Sequence, residues 1–169
     1  MAAPSFVIRA PIAEDIVPYA NFLANPDVSV WLDDSAQTPI SAARVEDILL
    51  RKAWALWSIE CDGAFVGVTS LYDPDLLRGT ARYSIVIGDP NYWGRGLGSA
   101  VILEVMKHAF LSLGLRKVES DILAPNKGAI VVHERAGFIE EGCLRQDAWR
   151  RGEWTDRILM SLLRDEWQE

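Results

Sequence analysis

Asn91-Tyr92-Trp93-Gly94-Arg95-Gly96-Leu97-Gly98-Ser99 leads directly into an apolar run, Ala100 to Phe110, whose spacing is typical of a helix. Glycines at alternate positions leave a loop with few side chains, so its backbone N–H groups can approach a ligand closely. The first N–H groups of the following helix lack intrahelical partners and lie at the positive end of the helix dipole. Such a loop suits phosphate oxygens, and the sequence therefore predicts a phosphate-bearing cofactor.

The glycine spacing separates this loop from two common phosphate-binding motifs. A P-loop needs Gly-x-x-x-x-Gly-Lys followed by Ser or Thr, and the chain has no such run. A dinucleotide-binding fingerprint needs Gly-x-Gly-x-x-Gly directly after a strand. Counted from Gly96, its third glycine position holds Val101; counted from Gly94, it holds Ser99. The P-loop is therefore absent, and the glycine spacing disfavours a nicotinamide oxidoreductase without excluding it. A glycine-rich turn that only caps the helix stays as the alternative without a ligand.

A third motif fits the spacing, because Gly94-Arg95-Gly96-Leu97-Gly98 resembles the pyrophosphate loop of the GNAT acetyltransferases, which binds coenzyme A. The segment Asn126 to Phe138 is similar to the other signature of that family, in which Asn precedes a short helix closed by Gly-Phe. Pro125-Asn126 is typical of a helix start, and Gly137 is typical of the residue that follows a helix. The resemblance implies an N-acetyltransferase that transfers acetyl from acetyl-CoA directly to a primary amine.

The resemblance covers most of the chain. Phe6 to Arg9 followed by Ala13 to Asp15 resembles the opening strand and helix of the superfamily. Gly142 to Arg145 and Arg150 to Arg157 resemble a branch that contains the ribosomal-protein alanine/serine N-acetyltransferases and relatives that act on amino sugars and polyamines. The branch does not fix the acceptor, so a small molecule, an amino sugar and a peptide N-terminus stay as alternatives.

The composition is typical of one domain, residues 1–169. Half of the residues are hydrophobic, but no apolar run approaches the roughly 18 residues that span a membrane. Met1 to Ser5 has neither a basic stretch nor an apolar signal core. Cys61 and Cys143 lack metal-like spacing, so we expect no metal site and a cytoplasmic protein with reduced thiols. The net charge of −7 argues against nucleic acid as a partner and is compatible with a cationic amine; monomer and homodimer stay open.

Hydrophobic patterns predict an alternation of strands and helices. Strands are predicted over 6–9, 57–61, 65–71, 81–87, 118–123, 138–144 and 157–163, and helices over 13–23, 41–51, 97–113 and from Asn126 to Gly137. Asp62-Gly63 predicts a hairpin turn, and Arg151-Gly152 predicts another turn. This order predicts an α/β (α+β) fold of the GNAT type, with a mixed, mostly antiparallel central sheet flanked by helices.

The resemblance also assigns the cofactor site. The end of the strand before the loop would pair with the pantetheine arm and aim a backbone N–H at the thioester carbonyl. Gly88 would allow a bulge or a splay there that frees backbone groups. Trp93 replaces the Gln or Arg that often opens the loop, so that side chain offers the phosphates no contact and Arg95 is the nearest cation. The alternative is that the Arg95 side chain is solvated and that the residue contributes its backbone N–H. The predicted cofactor-binding residues are Val86, Ile87, Gly94, Arg95, Gly96, Leu97, Gly98, Ser99 and Asn126.

His133 lies seven residues after Asn126, where many members of the family carry a tyrosine. An imidazole with a pKa near 6.5 can protonate the departing thiolate, and we therefore predict His133 and Asn126 as the catalytic residues. The alternative is that His133 only packs in the core. No cysteine–histidine pairing is apparent, which favours direct transfer without a covalent intermediate.

Two substitutions depart from the pattern of the family. Ala129 stands where the branch often has a serine, and Arg82 stands where a catalytic glutamate is common. Arginine stays charged at useful pH and cannot act as a general base. Deprotonation of the amine is then left to ordered water, to Asp33 or Asp34, or to selection of the neutral amine. The same departures leave a non-catalytic acyl-CoA-binding domain as the alternative function.

Three residues are predicted to bind the acceptor. Arg82 shares a strand face with Ser84 and Val86, which the resemblance places on the acceptor side. A guanidinium there suits a carboxylate or phosphate, and a salt bridge to a neighbouring strand is the alternative. Trp31 and Asp33 lie in the link between the first two helices, which borders the acceptor pocket in the family. Trp31 would stack on a sugar or nucleobase and Asp33 would hold an ammonium group, with core packing or a solvated loop as alternatives.

Overall fold

The computed structural model describes residues 3–32, 34–52 and 54–168, without the side chains of residues 35, 36, 51 and 52. The described residues form seven strands: β1 Phe6–Arg9, β2 Ala55–Cys61, β3 Ala64–Asp75, β4 Thr80–Ile87, β5 Lys117–Leu123, β6 Ile139–Arg150 and β7 Glu153–Leu163. They lie in one sheet in the order β1-β2-β3-β4-β5-β7-β6. The pair β4/β5 is parallel, while β1/β2, β2/β3, β5/β7 and β6/β7 are antiparallel, so the predicted mixed and mostly antiparallel sheet is confirmed.

The described residues form five α-helices: α1 Ile16–Ala24, α2 Pro26–Ser29, α3 Ala42–Asp47, α4 Leu97–Lys107 and α5 Lys127–Arg135. The starts of α3 and α5 agree with the caps that the sequence predicts. Ser41 caps α3, because its hydroxyl oxygen accepts from the Arg44 N–H at 3.3 Å. The predicted helices over 41–51 and 97–113 continue past α3 and α4 as π-helical turns, Ile48–Lys52 and His108–Ser112. None of the helices that the structure describes combines the length and apolar character needed to cross a membrane.

Backbone contacts group the described residues into two compact units. The first contains the residues up to Tyr72 together with Ser84–Gly98, and the second contains Asp73–Tyr83 together with the residues from Ser99 onward. The single domain predicted over 1–169 stays a prediction.

The first unit is held together by an apolar cluster and an ion-pair network. The cluster consists of Tyr19, Leu23, Val45, Leu49 and Val68. In the network, the Arg9 guanidinium donates to Asp15 at 2.8 Å and to Glu60 at 2.6 Å, and the Ser58 hydroxyl donates to Asp15 at 2.6 Å. Burial of Asp15 acts to raise the pKa of its carboxyl, but these donors outweigh it and hold that pKa below the usual value. The network therefore fixes the start of α1 against β1 and β2.

The second unit contains a long β6–β7 hairpin at the edge of the sheet. The predicted strands 138–144 and 157–163 are too short, because β6 and β7 extend to the Arg151-Gly152 turn. Trp149 and Trp154 pair across the strands beside that turn, with ring centroids 5.3 Å apart, and this contact stabilises the extension. The pairing register of β6 shifts twice, between Glu140 and Gly142 and between Leu144 and Ala148.

Candidate functional site

The backbone just after the end of β4 forms a bulge at Gly88, where the sequence allows either a bulge or a splay. The carbonyl oxygen of Val66 in β3 accepts from two consecutive N–H groups, Gly88 at 2.9 Å and Asp89 at 3.3 Å. Two residues on one strand thus oppose one residue on the other, which is the defining pattern of a β-bulge. The bulge turns the chain out of the sheet immediately before the glycine-rich loop.

Two glycines allow the backbone around this bulge to pack closely. A Cβ at Gly67 in β3 would lie 2.0 Å from the Val86 carbonyl oxygen. A Cβ at Gly88 would lie 2.1 Å from two ring carbons of Phe22 in α1. No side chain fits at either position, so the Val86–Gly88 backbone lies in direct contact with β3 and α1.

The glycine-rich loop has the backbone shape that binds anions. Gly94 and Gly96 have φ angles of +69° and +81°, whereas the φ angle of Arg95 between them is negative. Nothing lies within 4 Å of a Cβ at Gly94, so a ligand can approach the backbone there. Alternation of positive and negative φ angles can turn successive N–H groups toward one side of a loop, where they can bind an anion. These residues fit the diphosphate of coenzyme A, and α4 begins at Leu97 as the loop requires.

The Arg95 side chain lies over its own loop. Its guanidinium carbon is 5.5 Å from the centre of the Tyr92 ring, and Nη1 donates to the Asn91 carbonyl oxygen at 3.4 Å. The cation is therefore held beside the turn that precedes the glycines, where a positive charge can compensate for the uncharged Trp93 side chain.

Trp93 makes a contact that the sequence does not reveal. Its indole Nε1–H donates to the carbonyl oxygen of Ile87 at 2.7 Å. Between these two residues, Asp89 caps the short turn Pro90–Tyr92, because its carboxylate accepts from the Asn91 N–H at 2.9 Å. The loop is thus closed back onto the last residue of β4.

Asn126 lies in the second unit at the start of α5. Its side-chain oxygen accepts from the Ala129 N–H at 3.2 Å, which confirms the predicted helix start. This bond fixes the orientation of the amide group. The catalytic and cofactor-binding roles of Asn126 stay predictions.

His133 is enclosed within the second unit. Its side chain is only 3% exposed, and its ring centroid lies 5.1 Å from that of Phe138 and 5.7 Å from that of Tyr83. Nδ1 is 2.8 Å from the carbonyl oxygen of Ala129, and Nε2 is 3.1 Å from the Ser120 hydroxyl. Both ring nitrogens therefore have protein partners, which favours the packing alternative over the catalytic interpretation.

The partners of His133 also fix its tautomer. The Ala129 carbonyl can only accept, so Nδ1 carries the proton and donates to it. Burial lowers the pKa of the imidazole despite this bond, which acts to raise it. The neutral ring then leaves Nε2 as an acceptor. The one proton of the Ser120 hydroxyl is shared between Nε2 at 3.1 Å and the Tyr83 carbonyl oxygen at 3.3 Å. A substrate atom could therefore reach either ring nitrogen only by displacing one of these partners.

Arg82 forms the salt bridge that the sequence leaves as an alternative. Its guanidinium donates to Asp121 on the neighbouring strand β5, and Asp121 also accepts from Arg157 on β7. Arg157 in turn donates to Asp147 on β6 at 2.6 Å. The Asp121 side chain is 9% exposed and that of Arg82 is 40% exposed. Opposite charges thus alternate along four adjacent strands, and Arg82 already has a carboxylate partner.

The remaining predicted residues divide between the units. Trp31 is partly buried in the turn after α2, and its backbone N–H donates to Val28 at 3.2 Å. Asp33 lies outside the described residues. The part of the chain that the structure describes contains no group of three or more His, Cys, Asp or Glu side chains placed to hold a metal ion. Of the predicted site residues, Trp31, Val86, Ile87, Gly94, Arg95, Gly96, Leu97 and Gly98 belong to the first unit, and Arg82, Ser99, Asn126 and His133 belong to the second.

Sequence reasoning did not find the polar partners Ser120, Asp121 and Arg157. Glu119, Ser120 and Asp121 are three consecutive polar residues in β5, so Ser120 must share the buried face that Val118 and Ile122 mark, and a polar residue on that face is a usable signal. No local signal identifies Arg157 as the second partner of Asp121, because the two lie 36 positions apart.

Known proteins resemble this chain in sequence and in structure. A family model described as "Acetyltransferase (GNAT) domain" matches residues 5–139. The chain is 30% identical over 168 residues to the SPbeta prophage-derived uncharacterized N-acetyltransferase YokL of Bacillus subtilis (strain 168), covering 97% of this chain and 93% of that protein. It is 28% identical over 109 residues to spermidine N(1)-acetyltransferase of Escherichia coli (strain K12), covering 64% of this chain and 58% of that protein.

The crystal structure of spermidine N-acetyltransferase from Vibrio cholerae in complex with CoA and spermine superposes with a TM-score of 0.84 at 22% identity, covering 95% of this chain and 96% of that one. This likeness confirms the predicted fold.

Proposed function

Since this chain belongs to the GNAT family and transfers acetyl from acetyl-CoA to an amine, we propose an identity for the amine. The proposed acceptor is a small polycationic primary amine. The observation that carries the proposal is the distribution of charge. Residues 25–47 contain five acidic residues and one basic residue, and they account for more than half of the net charge of −7. This segment includes the link that holds Trp31 and Asp34. A concentrated negative potential attracts cations and raises their association rate.

The ion pair of Arg82 removes the argument for an anionic acceptor. Asp121 accepts from both Arg82 and Arg157, and its side chain is only 9% exposed. A carboxylate or phosphate of a substrate would have to displace Asp121 in order to bind Arg82. The E. coli relative is named as a spermidine acetyltransferase, which also supports a polyamine. Both curated relatives are named as enzymes, so the non-catalytic alternative is not carried further.

We propose that the chain's own residues do the following when acetyl-CoA, which supplies the thioester, is bound. The N–H groups of the glycine-rich loop hold the diphosphate, and the backbone of Val86 and Ile87 orients the pantetheine arm. Arg82 cannot take a proton from the amine, because its guanidinium is permanently charged and bound to Asp121. The amine is therefore used in its neutral form or loses its proton through water or an acidic residue of 25–47.

The remaining expectations about the whole protein are proposals of the same kind. Because the match to the GNAT family model crosses both units, it supports a single domain. Cys61 and Cys143 are free thiols, which supports a cytoplasmic protein. The acidic segment argues against nucleic acid as a partner. Light scattering would decide between a monomer and a homodimer.

The acceptor proposal predicts the outcome of an amine panel. Free-thiol release from acetyl-CoA is measured with spermidine and spermine, N-terminal Ala and Ser peptides, amino acids and amino-sugar nucleotides. We expect kcat/KM for a polyamine to exceed that for any anionic acceptor by about tenfold or more, and its KM to rise with salt. Thermal stabilisation by acetyl-CoA is the control for cofactor binding. Faster turnover of an amino-sugar nucleotide would contradict the proposal.

Two variants that each remove one negative charge test the role of the acidic segment, residues 25–47. Asp34→Asn is expected to raise the polyamine KM about threefold and to leave the KM for acetyl-CoA unchanged. Glu104→Gln removes one exposed charge from α4 and is the matched control, which we expect to change neither constant. Equal effects of the two variants would show that only the net charge matters.

Arg82→Ala tests the interpretation of the ion pair. We expect the KM of each acceptor to change less than about threefold, and the free energy of unfolding to fall by about 1 kcal/mol, because the guanidinium is 40% exposed. Steady-state kinetics and urea unfolding measure the two effects. A rise of about tenfold or more in the KM of an anionic acceptor alone would restore the substrate role of Arg82.

A further inference from the structure

We propose that Trp93 is a positioning residue for coenzyme A, because its indole joins the glycine-rich loop to the end of β4 and holds two parts of the cofactor site at a fixed separation. The inference concerns the cofactor and does not depend on the identity of the acceptor.

The first observation is the bond itself. Trp93 directly precedes Gly94, the first left-handed residue of the loop, and its Nε1–H donates to Ile87 at 2.7 Å. The bond closes a ring of backbone that contains the capped turn Pro90–Tyr92. The hydrogen bond forms although the Trp93 side chain is 41% exposed. Burial of the indole alone therefore does not account for the orientation of the indole.

The second observation is that the acceptor of this bond lies on a fixed base. Ile87 is followed by Gly88, whose N–H donates to Val66 in β3 at 2.9 Å and whose Cα faces Phe22 with no room for a side chain. The end of β4 therefore cannot shift without disturbing β3 and α1. Through Trp93, the loop is attached to this base by a side chain as well as by residues 88–92.

Fixed separation matters because coenzyme A is one long ligand with two anchored parts. Once its diphosphate is bound by the loop, the pantetheine arm reaches β4 in an intramolecular step whose effective concentration depends on the geometry of the two subsites. Loss of the indole bond lets this separation vary. The affinity for the whole cofactor then falls, while the affinity of each subsite for its own fragment stays the same.

The test compares whole and fragmented cofactor. Dissociation constants of Trp93→Phe and the wild type are measured for coenzyme A by calorimetry, and for 3′-phosphoadenosine diphosphate and pantetheine by ligand-observed NMR. We expect the constant for coenzyme A to rise about three- to tenfold, the range that one hydrogen bond supports, and each fragment constant to change less than twofold. Trp54→Phe, a 40% exposed tryptophan of the same unit, is the matched control and should change none of them.

A purely structural role of Trp93 gives a different pattern. If Trp93 only stabilised the fold, the fragments would weaken as much as coenzyme A, and that outcome would overturn the proposal, as would an unchanged constant for coenzyme A. Should the Phe variant not fold, benzothienylalanine at position 93 removes the N–H donor and keeps the shape of the ring, with the same expected pattern.

Discussion

Replacement of Gly67 by alanine is expected to lower the free energy of unfolding by about 3 kcal/mol, the largest effect of any single methyl group that we predict for this chain. The added Cβ would lie 2.0 Å from the Val86 carbonyl oxygen and 3.0 Å from the Ile87 Cα. Both atoms belong to the backbone, so no change of rotamer relieves the overlap. The strands β3 and β4 must move apart at the point where the pantetheine arm is proposed to bind, and we expect the affinity for acetyl-CoA to fall with the stability.

Urea unfolding and calorimetric titration with coenzyme A measure the two effects. Gly142→Ala is the matched control, because Gly142 also lies in a strand and nothing lies within 4 Å of its Cβ position. That variant should stay within about 0.5 kcal/mol of the wild type. A Gly67→Ala protein as stable as Gly142→Ala would show that β3 and β4 are not packed as described.

Replacement of His133 by phenylalanine is expected to reduce stability strongly and catalysis weakly. Phenylalanine keeps a ring between Tyr83 and Phe138 but loses both hydrogen bonds of the imidazole, and we expect the free energy of unfolding to fall by about 2 kcal/mol at pH 7.5. If His133 only packs, kcat should fall less than about tenfold, whereas loss of a general acid reduces it about 10²- to 10⁴-fold. A loss of that size, with binding of acetyl-CoA retained, would establish the catalytic interpretation instead.

The pH dependence of stability gives an independent measurement of the same residue. Burial depresses the pKa of His133 in the folded state below about 6.5, its value in an unfolded chain. Between these two values the unfolded chain binds more protons, so the contribution of His133 is complete above about pH 6.5 and is lost as the pH falls through the folded-state pKa. The slope reaches at most about 1.4 kcal/mol per pH unit. Relative to the wild type, His133→Phe should therefore recover stability as the pH is lowered from 7.5 to 5; a constant difference would contradict a buried neutral imidazole.

Local signals in the sequence predict much of the fold. The Asp62-Gly63 hairpin is correct, with φ angles of +50° and +79°, because few other pairs of residues adopt that turn. The caps Ser41 and Asn126 are also correct, since each cap is a bond between residues three positions apart. The short helix α2 was not predicted, although Asn25 caps it and Pro26 occupies its first position, because four residues are too few for a periodic pattern.

The candidate site divides in the same way between local and distant interactions. The glycine-rich loop and the bulge at Gly88 depend on backbone conformation near each glycine, and the sequence predicts the loop and allows the bulge. The environment of His133 depends on Ser120, 13 positions away, and that of Arg82 on Asp121, 39 positions away. Gly67 had a usable signal, because an isolated glycine inside a strand often marks a close approach of another backbone.

The two shifts of register in β6 have a consequence for how this protein behaves at high concentration. β6 is the last strand of the sheet that the described residues form, so one side of its backbone has no neighbouring strand in that sheet. A regular strand of twelve residues in that place would be a template for pairing with another molecule. The irregular segments after Glu140 and after Leu144 break that template into short pieces. Each piece offers a foreign strand only a few consecutive backbone hydrogen bonds, so we expect β6 to resist edge-to-edge aggregation.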